Sequence, residues 1–290
     1  MKEVVVLSGK GGTGKTSILG SFAALSEKKV LADCDVDAAD LHLLLNPSVR
    51  EQEEFWSGQI ATIDEEECTR CGLCEQLCRF DAIADYTVDP VACEGCGFCA
   101  RICPVSAITM QEELAGNYFV SETKYGPLVH ARLGIAKENS GKLVAQVRKK
   151  AKEVAEREGL EYILSDGPPG IGCPVISSIS GVDLALLVTE PTLSGIHDLK
   201  RVQGVLRHFG IQSAVCINKW DLNEENTLNI EHYCSEEGVL VVSKIPYDDV
   251  FTEAMVHGVP VVEYAKGPVA DEIEHMWASL VRFLRQETRG

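Results

Sequence analysis

Short unbroken apolar runs recur along the chain at 4–7, 30–32, 162–164, 184–188, 214–217 and 239–242. Runs with no polar alternation read as strands buried on both faces, the habit of parallel sheets. Between them lie stretches with helical spacing of apolar positions, such as Leu143, Val147, Ala151 and Val154, which predict amphipathic helices. Strand–helix alternation of this kind predicts a doubly wound, mostly parallel α/β sheet. The alternation fails between about Ala61 and Leu114, where Cys, Gly and acidic residues replace periodic apolar ones. Strands resume afterwards, so the expected organisation is a first α/β part at 1–60, a small α+β insertion at 61–114 and a second α/β part at 115–290. The insertion also repeats itself: Cys68 to Ile83 resembles Cys93 to Ile108.

Composition narrows the chemistry. The chain has 290 residues, 45% apolar and 24% charged, enough for one good core and a small second unit. A net charge of -17 argues against nucleic acid or a membrane surface as partner, since both are anionic. Eight of the 12 cysteines fall between Cys68 and Cys103. Met1 and Lys2 lead directly into the first apolar run, and no apolar stretch nears the roughly 18 residues of a bilayer span. A reducing cytoplasm is therefore expected, where clustered cysteines mean metal rather than disulfides.

Residues Ser8 to Thr16 read S-G-K-G-G-T-G-K-T, a phosphate-binding loop set between a buried strand and a helix. Glycines at Gly11, Gly12 and Gly14, with Thr13, let backbone N–H groups turn inward around phosphates. Lys15 is placed to reach the β- and γ-phosphates, and the Thr16 hydroxyl to ligate Mg²⁺. Lys10 is a second lysine inside the loop. It reads either as a solvated side chain or as a functional one.

The pattern K-G-G-T-G-K-T resembles the deviant phosphate loop of the MinD, Mrp and nitrogenase iron-protein superfamily. That resemblance implies an ATPase in which Lys10 crosses a dimer interface to the partner's nucleotide. It also implies a first switch at Asp33-Cys34-Asp35-Val36-Asp37, with Asp35 near the attacking water and metal and Asp37 a weaker candidate. By the same likeness, Ser165 to Gly170 carries the second switch, with Asp166 holding Mg²⁺. Asn218 and Asp221, in Asn218-Lys219-Trp220-Asp221, fall where the superfamily binds the base. Asn-Lys-x-Asp is also the guanine-reading pattern of small GTPases. Adenine N1 is an acceptor and cannot pair with a carboxylate in that way, which keeps GTP open; ATP is preferred because the deviant loop resembles that of an ATPase family.

The cysteines fall in two runs at 2-2-3 spacing, Cys68, Cys71, Cys74, Cys78 and Cys93, Cys96, Cys99, Cys103, the second followed by Pro104. This resembles the bacterial two-cluster ferredoxin, whose fourth cysteine in each run ligates the other cluster. The resemblance implies two [4Fe–4S] clusters, one on Cys68, Cys71, Cys74 and Cys103, the other on Cys93, Cys96, Cys99 and Cys78. Zinc is the rival occupant, because paired C-x2-C also builds zinc ribbons. Arg79 stands where the second run has Pro104.

Loop, switches and insertion together resemble MinD-superfamily ATPases containing an inserted ferredoxin domain. That family implies a homodimer or a heterodimer with a paralogue, and a redox or cluster acceptor protein as partner. The expected function is ATP-driven dimer closure coupled to electron transfer. The alternatives are an iron–sulfur or metal-centre assembly ATPase and a non-redox positioning ATPase of MinD type. Cys173, seven residues beyond Asp166, stands where the nitrogenase iron protein has a cluster ligand shared across the dimer. It reads as a bridging ligand or as an ordinary thiol.

Overall fold

The computed structural model describes residues 1–134 and 139–286. They divide into two compact units. The first comprises Met1–Gln52, Tyr118–Arg132 and the chain from Ser140 onward; the second comprises Glu53–Asn117 and Leu133–Asn139.

The first unit opens with β1 (Lys2–Leu7), α1 (Lys15–Leu25), β2 (Lys29–Asp33), α2 (Leu41–Leu45) and the start of β3 (Ser48–Ile63). The second unit holds α3 (Leu73–Gln76), β4 (Ile83–Ala84), β5 (Thr87–Val88) and α4 (Phe98–Ile102). The chain then returns along β6 (Ile108–Thr123) and β7 (Gly126–Leu133) to α5 (Ser140–Glu158), β8 (Tyr162–Asp166) and α6 (Cys173–Ile179). There follow β9 (Leu184–Thr189), α7 (Leu193–His208), β10 (Ser213–Asn218), a 3₁₀ turn at Trp220–Leu222 and α8 (Glu224–Glu237). The last elements are β11 (Leu240–Ile245), α9 (Val250–Val256), α10 (Val261–Tyr264) and α11 (Pro268–Gln286). Among the described residues, no helix is long and apolar enough to cross a membrane.

The main sheet runs β11-β10-β9-β1-β8-β2-β7-β6-β3. Its pairs from β11 to β7 are parallel. Each apolar run found in the sequence lies on one of its strands. Side chains alternate across such a strand, so Val4 and Val6 join one core with Phe22, Leu164, Trp277 and Leu280. Val5 and Leu7 join another core, with Ile179, Leu187, Leu206 and Ile217. Helices α1 and α11 thus seal one face, and α6, α7 and α8 the other. Strand β1 lies between β8 and β9, where the order of connection reverses, and open α/β sheets bind ligands outside the carboxyl ends of strands at such points.

The second unit has a different interior. Its core cluster is Ala61, Cys74, Ile83 and Ile108, and half of the partly buried side chains packed on it are cysteines. The repeat is visible in the backbone. Positive φ recurs at positions 25 apart, Arg70 (54°) with Gly95 (62°), Gly72 (76°) with Gly97 (69°), and Asp81 (51°) with Ser106 (58°). Gly95 is also a close approach, since a Cβ there would lie 2.2 Å from the Gln59 carbonyl oxygen.

Candidate functional site

The loop after β1 turns into α1 without a side-chain cap, leaving the first N–H groups of that helix facing the cleft. Gly14 before it has φ +90°, and Asn218 Nδ2 lies 2.6 Å from where its Cβ would be. A residue with a side chain is excluded there on both counts. Asn218, at the end of β10, donates to the Thr13 carbonyl at 2.8 Å and so fixes the loop from across the sheet.

Three strand ends then converge. Lys15 Nζ lies 3.3 Å from Asp35 Oδ2 and 3.1 Å from Asp166 Oδ1. The Thr16 hydroxyl donates to Asp166 Oδ2 at 2.7 Å. Asp33 sits behind them, its carboxylate accepting from the backbone N–H groups of Asp35 and Leu41. Burial and the neighbouring Asp166 push the Asp33 carboxyl well above the usual range. Burial also raises Asp35, with Lys15 opposing. Burial works to lower Lys15, but Asp166 and Asp35 outweigh it and the ammonium is held protonated. Two carboxylates, a hydroxyl and a charged amine grouped this way are the donor set that holds a magnesium nucleotide. Lys15, Thr16 and Asp35 line a cleft of about 1310 Å³ with its open mouth, bordered also by Thr13, Pro169, Asn218, Tyr247 and Phe251, with Asp166 buried behind it. The Thr13 hydroxyl is buried and has no hydrogen-bond partner. An orphaned donor inside a phosphate loop fits an anionic ligand.

Two predicted residues stand apart. Asp221 does not border the cleft; its Oδ1 accepts the Tyr247 backbone N–H at 2.7 Å, so the carboxylate ties down a loop. Lys10 does not border the cleft either. Its Nζ lies 3.1 Å from Glu190 Oε2 and 3.5 Å from Thr192 Oγ1. Glu190, just past β9, is buried and also pairs with Lys219. Burial would raise its carboxyl, but hydrogen bonds from Lys219 and Lys10 lower it overall. Glu190 falls in Thr189-Glu190-Pro191-Thr192-Leu193-Ser194-Gly195, a stretch that resembles the superfamily's, but its pairing with Lys10 and Lys219 has no sequence signal, because those partners are remote along the chain. Thr192 caps α7 by accepting from Gly195 N.

The eight clustered thiols line two cavities. One, of about 320 Å³, has Cys68, Cys71, Cys74 and Cys103 in its wall. The other, of about 430 Å³, has Cys78, Cys93, Cys96 and Cys99, with Cys74 shared. Among the described residues no three His, Cys, Asp or Glu side chains converge tightly enough to hold a single metal ion. Backbone N–H groups already point at sulfur, from Arg70 to Cys68 Sγ at 3.4 Å and from Ala107 to Cys103 Sγ at 3.3 Å. All-thiol donor sets in apolar cavities, with N–H groups aimed at sulfur, fit a polynuclear iron–sulfide centre better than one ion.

Cys173 opens α6 and is exposed, whereas Cys34, Cys216 and Cys234 are buried. Burial pushes Cys216 up to about 12 and Cys234 to about 11, which makes them inert.

Known proteins share this architecture. The family model described as the CobQ/CobB/MinD/ParA nucleotide binding domain matches residues 4–261. The uncharacterized protein MJ0578 of Methanocaldococcus jannaschii is 36% identical over 227 residues, covering 77% of this chain and 80% of that relative. The septum site-determining protein MinD complexed with Mg-ADP from Pyrococcus horikoshii OT3 has a TM-score of 0.60 at 19% identity, over 96% of this chain and 95% of that one. The MinC:MinD cell division protein complex of Aquifex aeolicus gives 0.60 at 20% identity, over 97% and 96%. The two solved structures share the fold. With the phosphate loop and its facing carboxylates, the match over residues 4–261 shows that the chain belongs to the CobQ/CobB/MinD/ParA family of nucleotide-binding P-loop ATPases.

Proposed function

We propose that this chain is an ATPase of the deviant-loop type in which nucleotide state controls electron transfer through an inserted two-cluster module at 61–114. The observation that carries the reading is the division of eight thiols into two four-cysteine cavities on a chain that also has a complete phosphate loop. One cluster would be held by Cys68, Cys71, Cys74 and Cys103, the other by Cys78, Cys93, Cys96 and Cys99. When bound, such clusters each accept and release one electron.

The nucleotide side follows from the chain's own groups. Gly11 to Gly14 direct N–H groups at the phosphates, Lys15 neutralises them, and Thr16 with Asp166 holds Mg²⁺. Asp35 orients the attacking water. The complex of the Pyrococcus MinD with Mg-ADP supports an adenine nucleotide here, and the hydrogen bond from Tyr247 N–H to Asp221 Oδ1 speaks against Asp221 as a guanine reader. Lys10 acts in a dimer, homotypic or with a paralogue, once it leaves Glu190. The MinC:MinD complex supports a further protein partner, which in this reading is a redox acceptor.

Anaerobically reconstituted protein should hold about eight iron and eight sulfide per chain. ATP with Mg²⁺ should change the rate at which the reduced protein passes electrons to an acceptor dye. Stoichiometric zinc without labile sulfide, or a donation rate indifferent to nucleotide, would overturn the proposal. Exposed Cys173 favours a second reading, an assembly ATPase that hands on a cluster. In that case Cys173→Ser abolishes transfer to an apo-acceptor and leaves the eight-iron content intact.

A further inference from the structure

The repeat makes the two thiol cavities pseudo-equivalent, and their walls differ where it matters. At an offset of 25 residues Leu73 matches Phe98 and Phe80 matches Val105. Leu73 and Val105 fall in the wall with Cys68, Cys71, Cys74 and Cys103. Phe80 and Phe98 both fall in the other, beside Leu77 and Met110. These phenylalanines keep 41% and 46% of their surface exposed, and Leu77 keeps 49%. Two aromatic rings and a leucine at one cavity mouth form an apolar patch of the kind that anchors protein contacts. The other mouth has aliphatic groups at the matched positions. Its aromatic, Tyr86, is already engaged, donating to the Arg70 carbonyl at 3.0 Å with the Arg70 guanidinium 5.7 Å over its ring.

Charge selects the partner. Residues 61–114 contain eleven Asp and Glu against three Arg and no Lys, a net of −8, leaving −9 for the other 236 residues. Thiolate-bound clusters make the segment more negative still. Such a field repels nucleic acid, anionic lipid and a second copy of the same face, and it steers in a protein with a basic rim.

Building on the cluster reading above, we propose that the Phe80–Phe98 mouth, over Cys78, Cys93, Cys96 and Cys99, is the docking face for a soluble redox protein with a basic rim around an apolar centre. The pseudo-equivalent Leu73–Val105 mouth is not. One electron passes at that face: the module is oxidised by one electron and the partner's ferric haem, or equivalent centre, is reduced by one, with no proton or bond exchanged.

A basic c-type cytochrome serves as probe for the full, cluster-loaded chain. Its Kd for the oxidised protein, by surface plasmon resonance, should rise about five- to tenfold in the double variant Phe80→Ala with Phe98→Ala, the range of a lost anchor pair. Leu73→Ala with Val105→Ala should stay within about twofold. Reduction of a small neutral quinone should be unchanged in both, and added salt should weaken wild-type binding steeply. Phe80→Val with Phe98→Leu, which installs the other mouth's side chains, gives the same comparison if the alanine pair loses iron. Equal losses at the two mouths, no loss at the phenylalanines, salt-independent binding, or self-association lost with the phenylalanines would each overturn the proposal. Labile sulfide with normal quinone reduction marks those outcomes as failures of docking alone. Absence of sulfide in wild type would overturn the cluster reading and this inference with it.

Discussion

Lys15 and Lys10 share a loop and have opposite surroundings. Lys15 Nζ is buried between Asp35 and Asp166 at the floor of the cleft. Lys10 is partly exposed and rests on Glu190 and Thr192. Lys15→Ala removes a charge from the phosphates and leaves two carboxylates facing the ligand, so ATP binding should weaken by tenfold or more, about 1.4 kcal/mol at least. Lys10→Ala should leave binding within about threefold and lower hydrolysis at protein concentrations that support dimers. Fluorescent-nucleotide titration beside a phosphate-release assay separates the two, and equal binding losses would make Lys10 a local phosphate contact. The loop itself was legible because its spacing is local. The pairing of Glu190 was not, because its cations are Lys10, 180 positions earlier, and Lys219, 29 later. Asp221 was misleading for a related reason: the motif gives its identity, but its role depends on Tyr247 folding back to it.

Elements were legible in proportion to burial. Five apolar runs became strands because each is covered on both faces, which removes polar alternation; the sixth became the edge strand β11, where Leu240 is exposed. By contrast β3 is mostly exposed along its length, with Arg50, Glu51, Gln52, Glu53 and Glu54 in succession, and no apolar period announces it. Strands β6 and β7 escaped for the same reason at one end and by their turn at Lys124 and Tyr125 at the other. Inside that pair lies His130, stacked on Phe119 and 2.9 Å from Ser121 Oγ. Burial first, then His42 and Arg132, lower its imidazole to about 4. In the unfolded chain it titrates near 6.5. Between those values the unfolded state binds more protons, so stability falls as pH drops from about 6.5 towards 4 and is unaffected above. Denaturant titrations should show wild type losing about 1–2 kcal/mol more than His130→Gln between pH 7.5 and pH 5, allowing for partial exposure. Identical pH profiles would mean that the imidazole protonates freely in the fold.

The two units are stabilised by different physics. The first has two extensive apolar cores on either side of a mostly parallel sheet, ample for a cooperative fold. The second has a core cluster of four side chains, one of them Cys74, with four more cysteines packed against it. A unit of about 70 residues with so small a core rarely folds without a staple such as disulfides or metal. All eight of its cysteines are free, so disulfides do not supply one here. Metal-dependent binding energy then becomes folding energy, since the site does not exist in the unfolded segment. The 11 acidic side chains of residues 61–114 add repulsion that also opposes compaction. Iron removal should therefore unfold the second unit and spare the first. Hydrogen exchange on chelator-treated, reduced protein should show amides in Glu53–Asn117 exchanging near the unstructured rate. Those of β1, β8 and β9 should stay protected, and ATP should still bind with about its original affinity. Reconstitution with iron and sulfide should restore protection over Glu53–Asn117 alone. Full protection of that segment without metal would show that its small core suffices, and the cysteines would then be passengers on a fold that does not need them.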